Sequence, residues 1–333
     1  MSNSAASPTP DRIGTKDRAP QAYFLGQHRV DVARLSPGLH LVATPIGNLG
    51  DITLRALAAL AGSDLIACED TRITRKLLDR YAIATPLTPY HEHNAEKVRP
   101  RLLRRLAEGA AIALVSDAGT PLISDPGFKL VRGAQQAGCP VNALPGPSAL
   151  LAALTVAGLP TDQFFFAGFL PPKQAARRAR IAELARIPGT LVLFETGPRI
   201  ADALAELAAG LGARREAALC RELTKLHEEV RRGDLATVAQ GSVDGEVRGE
   251  FVLVIGPSPA PEGLTAEDTD VLLRQAMSRV SLKDAVAEVA AVTGLHRREL
   301  YQRALALAKE ATAEAAQETA QETATDADHG APR

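Results

Sequence analysis

The sequence predicts an α/β protein of two folded domains, followed by a small helical module. Its 333 residues exceed the usual size of a single domain. Short β-branched or apolar runs alternate with Ala-, Leu- and Arg-rich stretches of helical period, which is typical of α/β units. A proline-rich linker at 257–261 precedes a further group of helical stretches.

The alternation predicts the elements in order. Strands are expected at 39–44, 64–69, 111–116, 140–144, 163–169, 190–195, 216–222 and 250–255. Helices are expected at 53–61, 71–81, 96–108, 127–137, 148–157, 175–187 and 199–211, and then from Thr265, Ser281 and Arg297. The turn Leu159-Pro160-Thr161 falls after the fourth strand and its helix, so we place the domain boundary there.

Composition changes mark the two ends of the chain. Residues 1–36 lack apolar periodicity and predict a disordered leader. An N-terminal α/β domain is expected at 37–158 and a C-terminal α/β domain at 159–257. A helix-turn-helix-like module is expected at 264–309, and residues 310–333 predict an acidic, disordered tail.

The overall composition excludes several classes of protein. Hydrophobic residues make up 46% of the chain and charged residues 23%, which is a globular composition. The net charge of -1 means that affinity for nucleic acid must come from local patches. The three cysteines are far apart, which argues against a disulfide framework or a thiolate metal site. With neither a long apolar run nor a signal peptide, the sequence predicts a cytoplasmic protein without membrane spans.

Three loops follow predicted strands and precede predicted helices. In open parallel sheets, such loops at the carboxyl ends of strands bind ligands. The loop at 115–127 is dense in Ser, Asp, Gly and Pro, which favours ligand binding over a simple connector. The other two loops lie at 43–53 and 144–149, where Ser148 could equally be a helix N-cap. Both GxGxxG and GxxxxGK[ST] are absent, which makes an NAD-dependent enzyme a weak alternative and excludes a P-loop NTPase.

Seven motifs are spread between about Leu39 and Gly256: TPIGNLGDIT, CEDTR, YHEHN, SDAGTPLISDPG, PGPSA, GFLPPK and CRELTKLHEE. Together they resemble the tetrapyrrole methylase family, in its branch that modifies small-subunit ribosomal RNA. The resemblance implies 2'-O-methylation of a cytidine ribose in the decoding centre of 16S rRNA, with S-adenosylmethionine as methyl donor. It also implies a homodimer whose two α/β domains hold the cofactor in the cleft between them.

The family's cofactor pattern can be carried onto eight positions of this chain. The resemblance implies cofactor contacts from Pro45, Asp117, Ala118, Thr120, Ser148, Ala149, Phe194 and Leu223. One motif departs from the family, because the run Phe194-Glu-Thr-Gly-Pro-Arg199 lacks the histidine common in relatives. That departure removes any argument for a histidine base at this position.

Several polar residues could assist transfer of a methyl group to a hydroxyl. A positioned carboxylate, histidine or lysine could take the hydroxyl proton. Among the candidates we favour Glu222 and Lys225, which follow an apolar strand. Glu69 and Asp70 are equally consistent with a catalytic role and with the start of a helix, where Asp70 would be the cap. Two histidines and one acid at 91–93 make a weak metal site, and no metal is expected.

RNA binding by a chain of this charge requires concentrated cations. Lys173, Arg177, Arg178 and Arg180 form a basic stretch that favours phosphate contact. His91 and His93 are further candidates for RNA contact, although an ordinary polar loop is equally consistent. The basic helical module fits both a small cap and an RNA-contact module. The phenylalanines at 164–166 and 169 have strand spacing and are expected in the core rather than in a stacking platform.

Three functions remain open at this point. A methyltransferase acting on the ribose of 16S rRNA or of the small ribosomal subunit fits the motifs and the basic stretches. A small-molecule methyltransferase of the same fold is the first alternative, and the basic stretches argue against it. A non-catalytic RNA-binding assembly factor is the second, and tight binding of S-adenosylmethionine would exclude it.

Overall fold

The computed structural model describes residues 21–124, 127–240, 248–258 and 265–311. The chain divides into two compact units, here called the first unit (1–152 together with 222–229) and the second unit (153–221 together with 230–333). The division therefore falls a few residues before the predicted boundary, and a short segment near residue 225 returns to the first unit. The leader prediction for 1–20 and the tail prediction for 312–333 lie outside the described residues.

The first unit begins with a β-hairpin that the sequence analysis missed. Strands β1 (Gln21–Leu25) and β2 (His28–Val32) pair antiparallel. Tyr23 is 4% exposed and belongs to the same apolar cluster as the first long helix of the unit. The prediction of a disordered leader is thus wrong for this segment, because its few apolar residues are buried against the domain.

A five-stranded sheet forms the centre of the first unit. Its strands are β3 (Gly38–Val42), β4 (Leu65–Cys68), β5 (Leu87–Pro89), β6 (Ala111–Val115) and β7 (Val141–Leu144). They lie in the order β5-β4-β6-β3-β7, and every neighbouring pair is parallel. All residues of β4 and β6 are buried, as expected for central strands covered on both faces.

Helices cover both faces of this sheet. They are α1 (Leu54–Gly62), α2 (Thr71–Arg80), α3 (Ala95–Ala107), α4 (Phe128–Gln136) and α5 (Ala149–Ala157), with a short 3-10 turn at Leu49–Asp51. The apolar sides of α1 and α2 share one core cluster, and those of α3 and α4 share another. This is the arrangement of an open α/β sheet, so the carboxyl ends of the strands lie along one edge, where ligands bind.

The second unit contains a mixed sheet. Its strands are β8 (Phe164–Phe169), β9 (Thr190–Thr196), β10 (Glu216–Arg221), β11 (Glu229–Asp234) and β12 (Glu250–Ile255), in the order β11-β10-β12-β9-β8. The pair β8 and β9 is parallel, whereas β12 pairs antiparallel with both β9 and β10. Helices α6 (Gln174–Leu184), α7 (Gly197–Leu211) and α8 (Leu235–Gln240) contribute to a single apolar core with these strands.

The helical module has its own small core. It consists of α9 (Ala266–Met277), α10 (Leu282–Thr293) and a helix over 297–311. Thr265 and Ser281 cap the first two helices, and Gly294 ends α10 in the left-handed conformation. Leucine, valine and alanine side chains from all three helices form one cluster. The helix continues through residue 311, so the predicted tail does not begin at residue 310.

The α/β fold class and the helical module are therefore as predicted. The sequence analysis missed β5, β11 and α8, which are short or lack a clear apolar period. Among the described residues, every helix is too short or too polar to cross a lipid bilayer.

Candidate active site

Three loops at the carboxyl edge of the first sheet are tied together by hydrogen bonds. These carboxyl-edge loops, at 43–53, 116–124 and 145–148, follow β3, β6 and β7. Thr44 and Gly119 exchange two backbone hydrogen bonds of 2.9 and 3.0 Å. The Thr44 hydroxyl donates to the Ser116 carbonyl at 3.3 Å, and the Thr120 hydroxyl donates to the Pro147 carbonyl at 3.2 Å. The three loops thus form one connected edge, and Thr120 uses its hydroxyl to hold it.

The loop at 116–124, which follows β6, adopts a strained backbone. Gly119 has a φ of +75°, and an added Cβ there would lie 3.4 Å from Cγ2 of Ile46. Leu122 and Ser124 also have positive φ values, of 74° and 67°. Non-glycine residues rarely adopt this conformation, and strain of this kind is concentrated at functional sites. The loop geometry therefore supports a ligand role for this edge.

Two carboxylates lie at the same edge with different pKa values. The backbone N–H of Asp70 donates to Oδ1 of Asp117 at 2.9 Å. Burial raises the pKa of Asp117, and the charge of Asp70 raises it further. Hydrogen bonds from Arg72 lower the pKa of Asp70 to about 2. The higher pKa of Asp117 reflects a charge that the fold stabilises poorly, as is common at ligand sites.

Asp70 has a structural role. Its carboxylate accepts from the Arg72 backbone N–H at 2.7 Å, which caps α2, and pairs with the Arg72 guanidinium at 2.6 Å. A carboxylate with so low a pKa and such strong partners is a weak base. The capping interpretation of Asp70 therefore holds, and the structure argues against a role in proton transfer. Glu69 lies half-buried directly after β4, at the same edge.

The segment at 222–229 lies against the first loop of this edge. Nζ of Lys225 is 2.9 Å from Oε1 of Glu222. The Asn48 backbone N–H donates to the Thr224 hydroxyl at 3.2 Å. An added Cβ on Gly47 would lie 2.4 Å from Cγ of Lys225, so the lysine side chain crosses the loop where only glycine leaves room. The structure thus brings the two favoured catalytic residues to the carboxyl edge.

Backbone strain recurs in this segment. Glu222 and Thr224 have φ values of +50° and +66°. Five non-glycine residues among those described have a positive φ. Four of them lie in this segment or in the 116–124 loop, and the fifth is Ala82. The sequence analysis missed Asn48, Gly47 and Thr224 as positioning residues. The sequence feature that could have indicated these residues is the unusual length of the two motifs that contain them, TPIGNLGDIT and CRELTKLHEE.

The remaining cofactor candidates of the first unit lie in or beside these loops. Pro45 and Leu223 are buried, whereas Ala118 is exposed. Ser148 and Ala149 are half-buried at the start of α5. The Ser148 hydroxyl is 3.5 Å from the Leu151 backbone N–H, which is the geometry of a weak cap.

Phe194 lies in the second unit, at the end of β9. Its ring packs edge-to-face on Phe166, with centroids 4.8 Å apart, and on Phe169 at 5.8 Å. The neighbouring Glu195 is 3% exposed and pairs with Arg199 at 3.1 Å. The other oxygen, Oε1 of Glu195, accepts from the Thr196 backbone N–H at 2.9 Å, so this buried carboxylate is held by residues of its own motif.

The phenylalanines of β8 depart from the expectation that they lie in the core. Phe164, Phe165 and Phe169 are 45%, 37% and 49% exposed. The strand lies at one end of the second sheet, so only its β9 side is paired within the sheet. The core expectation is therefore wrong for these three rings.

The structure corrects one residue of the predicted RNA-contact set. Arg177 is 7% exposed, and its Nε and Nη2 donate to the two carboxylate oxygens of Glu206 at 2.8 and 3.0 Å. Its guanidinium faces the protein, because position 177 falls on the apolar side of α6. The candidates for phosphate contact are therefore Lys173, Arg178 and Arg180, which are exposed or half-buried.

The two histidines follow β5. Their rings are 6.0 Å apart. His93 is exposed, while Nδ1 of His91 is buried without a hydrogen-bond partner among the residues described. In the part of the chain that the structure covers, no group of three or more His, Cys, Asp or Glu side chains is arranged to hold a metal ion.

The residues at the carboxyl edge fit the chemistry of a sulfonium methyl donor. The acidic groups there, Asp117 above all, suit a positively charged ligand. Lys225 and Glu222 place an ammonium and a carboxylate at the same edge.

Comparison with known proteins gives two family matches. Residues 38–239 match the model of the Tetrapyrrole (Corrin/Porphyrin) Methylases. Residues 263–308 match the model of the RsmI C-terminal HTH domain. The hairpin formed by β1 and β2 precedes both matched regions.

Curated relatives are similar over most of their length. A protein of Mesorhizobium japonicum is 47% identical over 292 residues, covering 87% of this chain and 99% of that protein. A protein of Erythrobacter litoralis is 49% identical over 283 residues, covering 84% and 99%. A protein of Pseudomonas aeruginosa is 45% identical over 271 residues, covering 80% and 96%. Each is named ribosomal RNA small subunit methyltransferase I.

Solved structures with low sequence identity share the fold. A diphthine synthase matches with a TM-score of 0.52 at 17% identity, covering 66% of this chain and 89% of that protein. A cobalt precorrin-4 methyltransferase matches with a TM-score of 0.51 at 16% identity, covering 66% and 94%. At these identities the likeness concerns the fold and does not identify a substrate.

Proposed function

Because the chain belongs to the tetrapyrrole methylase family, we propose that it is an S-adenosylmethionine-dependent methyltransferase of small-subunit ribosomal RNA. The family match covers residues 38–239, so it begins where the motifs begin and ends before Gly256, where the resemblance was expected to end. The substrate class rests on relatives of 45–49% identity that are named ribosomal RNA small subunit methyltransferase I. The finer proposal is 2'-O-methylation of a cytidine ribose in the decoding centre of 16S rRNA, which the motif resemblance implies.

The carboxyl-edge loops are the proposed site of the methyl donor. Asp117, Ala118 and Thr120 would contact it from the loop after β6, Pro45 from the loop after β3, and Ser148, Ala149, Phe194 and Leu223 are the further candidates. The observation that carries this assignment is the cross-linked edge itself, where hydrogen bonds join three strained or glycine-containing loops. A rigid edge of this kind can align a ligand with little loss of entropy on binding.

The bound donor would supply an electrophilic methyl carbon on a sulfonium. Transfer forms a bond between the ribose oxygen and that carbon while the bond from carbon to sulfur breaks, and the hydroxyl proton must leave. Alignment of oxygen, carbon and sulfur supplies most of the catalysis. We propose that Glu222 accepts the proton and that the Lys225 ammonium donates a hydrogen bond to the oxygen as negative charge develops on it.

The pairing of Lys225 with Glu222 supports these roles. Their 2.9 Å contact fixes the lysine head while the stem lies over Gly47. Glu69 is the second candidate for proton acceptance, from the end of β4. Asp70 is not proposed, because Arg72 already occupies its carboxylate.

The remaining parts of the proposal concern partners. Lys173, Arg178 and Arg180 would contact RNA phosphates, and the helical module would bind RNA through its cationic surface. His91 and His93 stay candidates for RNA contact. A homodimer is proposed from the family resemblance, and a ribosomal substrate would place the protein in the cytoplasm. Analytical ultracentrifugation tests the oligomeric state.

One transfer experiment tests the function. S-adenosylmethionine with a labelled methyl group is incubated with the protein and with purified small subunits, free 16S rRNA or a tetrapyrrole acceptor. We expect label in RNA, recovered as 2'-O-methylcytidine at one position after nuclease digestion. Label in a base would refute the ribose proposal, and label in the tetrapyrrole alone would favour a small-molecule methyltransferase. Failure to bind the donor at all would favour a non-catalytic RNA-binding factor.

A further inference from the structure

A cavity of about 650 Å³ lies at one end of the first sheet, away from the carboxyl-edge loops. Its floor is formed by His40 of β3 and by Asn142 and Leu144 of β7, the end strand. These side chains share one face of the sheet, because the parallel register pairs His40 with Asn142 and residues two positions apart point the same way. The volume lies within the range of roughly 300 to 1,000 Å³ that is common for small-molecule sites.

Helix α1 and the hairpin form the other two walls. Arg55, Ala58 and Ala59 line the cavity from α1, and their spacing puts them on one stripe of that helix. The opposite wall is apolar for much of its area and includes Tyr23 and Val32. The hairpin precedes the region that matches the family model, so this wall lies outside the matched domain.

Hydrogen bonds fix the hairpin wall to the rest of the first unit. The Phe24 backbone N–H donates to the Tyr81 carbonyl at 2.9 Å, and the Leu35 backbone N–H donates to the Gly62 carbonyl at 2.9 Å. A cavity whose walls are held in this way is formed before a ligand enters it. Binding there therefore costs little rearrangement of the protein.

His40 brings an unsatisfied polar atom to the floor of the cavity. The residue is only 3% exposed, although it lines the cavity. Its Nε2 lies 2.9 Å from the Ser36 carbonyl, which can only accept, so Nε2 carries the proton of the neutral ring. Nδ1 is then an acceptor, and it has no hydrogen-bond partner among the described residues. Buried polar atoms are normally paired, so this acceptor calls for a donor from a molecule in the cavity.

The charged side chains around the cavity leave one cation in excess. Nη2 of Arg34 pairs with Asp64 at 3.0 Å, and Asp31 pairs with Arg29 at 2.8 Å. Arg55 is exposed and has no ion pair among the described residues. A guanidinium of this kind can bind an anionic group with charge-assisted hydrogen bonds.

We propose that this cavity binds a nucleotide, with its phosphate on Arg55 and its base hydrogen-bonded to His40 and Asn142. A nucleobase offers amine donors for Nδ1 of His40, and both donors and acceptors for the Asn142 amide. Its faces fit the apolar walls. The proposal does not rest on the proposed function, because none of the carboxyl-edge loops lines the cavity.

Other ligand classes satisfy fewer of these groups. Inorganic phosphate would pair with Arg55 but leave most of the volume and the apolar walls unused. A purely apolar ligand would leave both Nδ1 of His40 and the Arg55 guanidinium without partners, which is unfavourable. A free nucleotide and a nucleotide within RNA share the chemistry that fits, and the experiment separates these two sources.

Calorimetry on the full chain measures binding of cytidine 5'-monophosphate and of adenosine 5'-monophosphate. S-adenosylhomocysteine is present at saturation, so that its nucleoside occupies the proposed donor site. Arg55→Gln removes the cation at an exposed position, where the fold does not depend on it. Loss of a charge-assisted hydrogen bond is expected to weaken binding by roughly 10- to 150-fold. Arg80→Gln is the matched control, because Arg80 is an exposed arginine of α2 outside the cavity, and it should bind as the wild type does.

Two further variants test the interior of the cavity. Ala58→Leu fills the space from α1 with another strong helix former, so it should reduce nucleotide binding below detection. His40→Gln keeps a donor for the Ser36 carbonyl and removes the Nδ1 acceptor, so it should weaken binding by roughly 2- to 10-fold. Circular dichroism records that each variant is folded.

A second arm measures the affinity of the same variants for a short unstructured RNA oligonucleotide by fluorescence anisotropy. If the cavity takes a nucleotide of RNA, Arg55→Gln and Ala58→Leu weaken oligonucleotide binding as well. If it takes a free nucleotide, these variants lose mononucleotide binding and keep their affinity for the oligonucleotide.

The outcomes also separate this inference from the proposed function. Affinities for mononucleotides and oligonucleotide that are unchanged in both Arg55→Gln and Ala58→Leu would overturn the inference, as would a wild type that binds neither probe. Methyl transfer by the wild type is scored separately. Nucleotide binding that depends on Arg55 without any transfer would refute only the proposed function.

Discussion

Substitution of Gly47 tests the proposed role of Lys225 without altering either catalytic residue. In Gly47→Ala, the new methyl group would lie 2.4 Å from Cγ of Lys225. Ordinary contact between carbon atoms begins near 3.4 Å, so the lysine side chain must shift by about 1 Å. Gly47 does not need a positive φ, so the alanine fits the backbone. The expected effect is therefore displacement of Nζ from its 2.9 Å contact with Glu222 in a protein that still folds.

The size of the effect follows from the displacement. Misplacing a catalytic group by about 1 Å costs on the order of 100-fold in rate, or about 2.7 kcal/mol in activation free energy. The assay is the single-turnover rate of labelled methyl transfer to small subunits at saturating donor. Gly50→Ala in the same loop is the matched control, because its added Cβ would approach Asn48 at 3.2 Å and has no contact with Lys225 within 4 Å.

A double-mutant cycle isolates the mechanism. If Gly47→Ala acts through the lysine, adding it to Lys225→Met should slow transfer little beyond Lys225→Met alone. Additive losses would show that Gly47→Ala acts by another route, such as a change in the donor site. A normal rate in Gly47→Ala would refute the proposal that the position of Lys225 matters for transfer.

Three further predictions concern stability and pH. Arg177→Gln should lower Tm in thermal unfolding followed by circular dichroism, because it removes the buried partner of Glu206, whereas Arg178→Gln should leave Tm unchanged. The pKa of Asp70 is lowered from 3.8 to about 2, so its contribution to stability is present above pH 3.8 and is lost as pH falls through about 2. Asp70→Asn should therefore flatten the pH dependence of the unfolding free energy in that window; an unchanged slope in urea titrations would contradict the capping role. The pKa of Asp117 is raised by burial, so its charged form costs stability above its unfolded pKa. Asp117→Asn should raise Tm at pH 7 and weaken S-adenosylmethionine binding in calorimetry, and tighter binding would argue against its role in the donor site.

The sequence predicted the long regular elements well because their apolar periods decide their structure. The run that forms β6 is apolar throughout, and β12 is apolar after Glu250, so both runs predict a buried strand. The hairpin at 21–32 was missed because its alternation is short and its stability depends on burial of Tyr23 against the rest of the unit. Strand β5 has only three residues, and its strand conformation depends on pairing with β4.

The site was predictable in its location but not in its contacts. Parallel topology places the loops after β3, β6 and β7 at one edge, which spacing alone indicates. Arg177 was misassigned because a basic stretch does not reveal which of its cations lies on the buried side of the helix. In the structure that cation is Arg177, which pairs with Glu206. The approach of Lys225 to Gly47 joins residues that are 178 positions apart and depends on tertiary structure.

The most direct test of the central claim is a crystal structure of the protein grown with S-adenosylhomocysteine. The account predicts that the ligand contacts Asp117, Ala118 and Thr120, with its sulfur turned toward the pair formed by Lys225 and Glu222. Ligand density at any other place in the chain, with the carboxyl-edge loops closed on their own side chains, would contradict it.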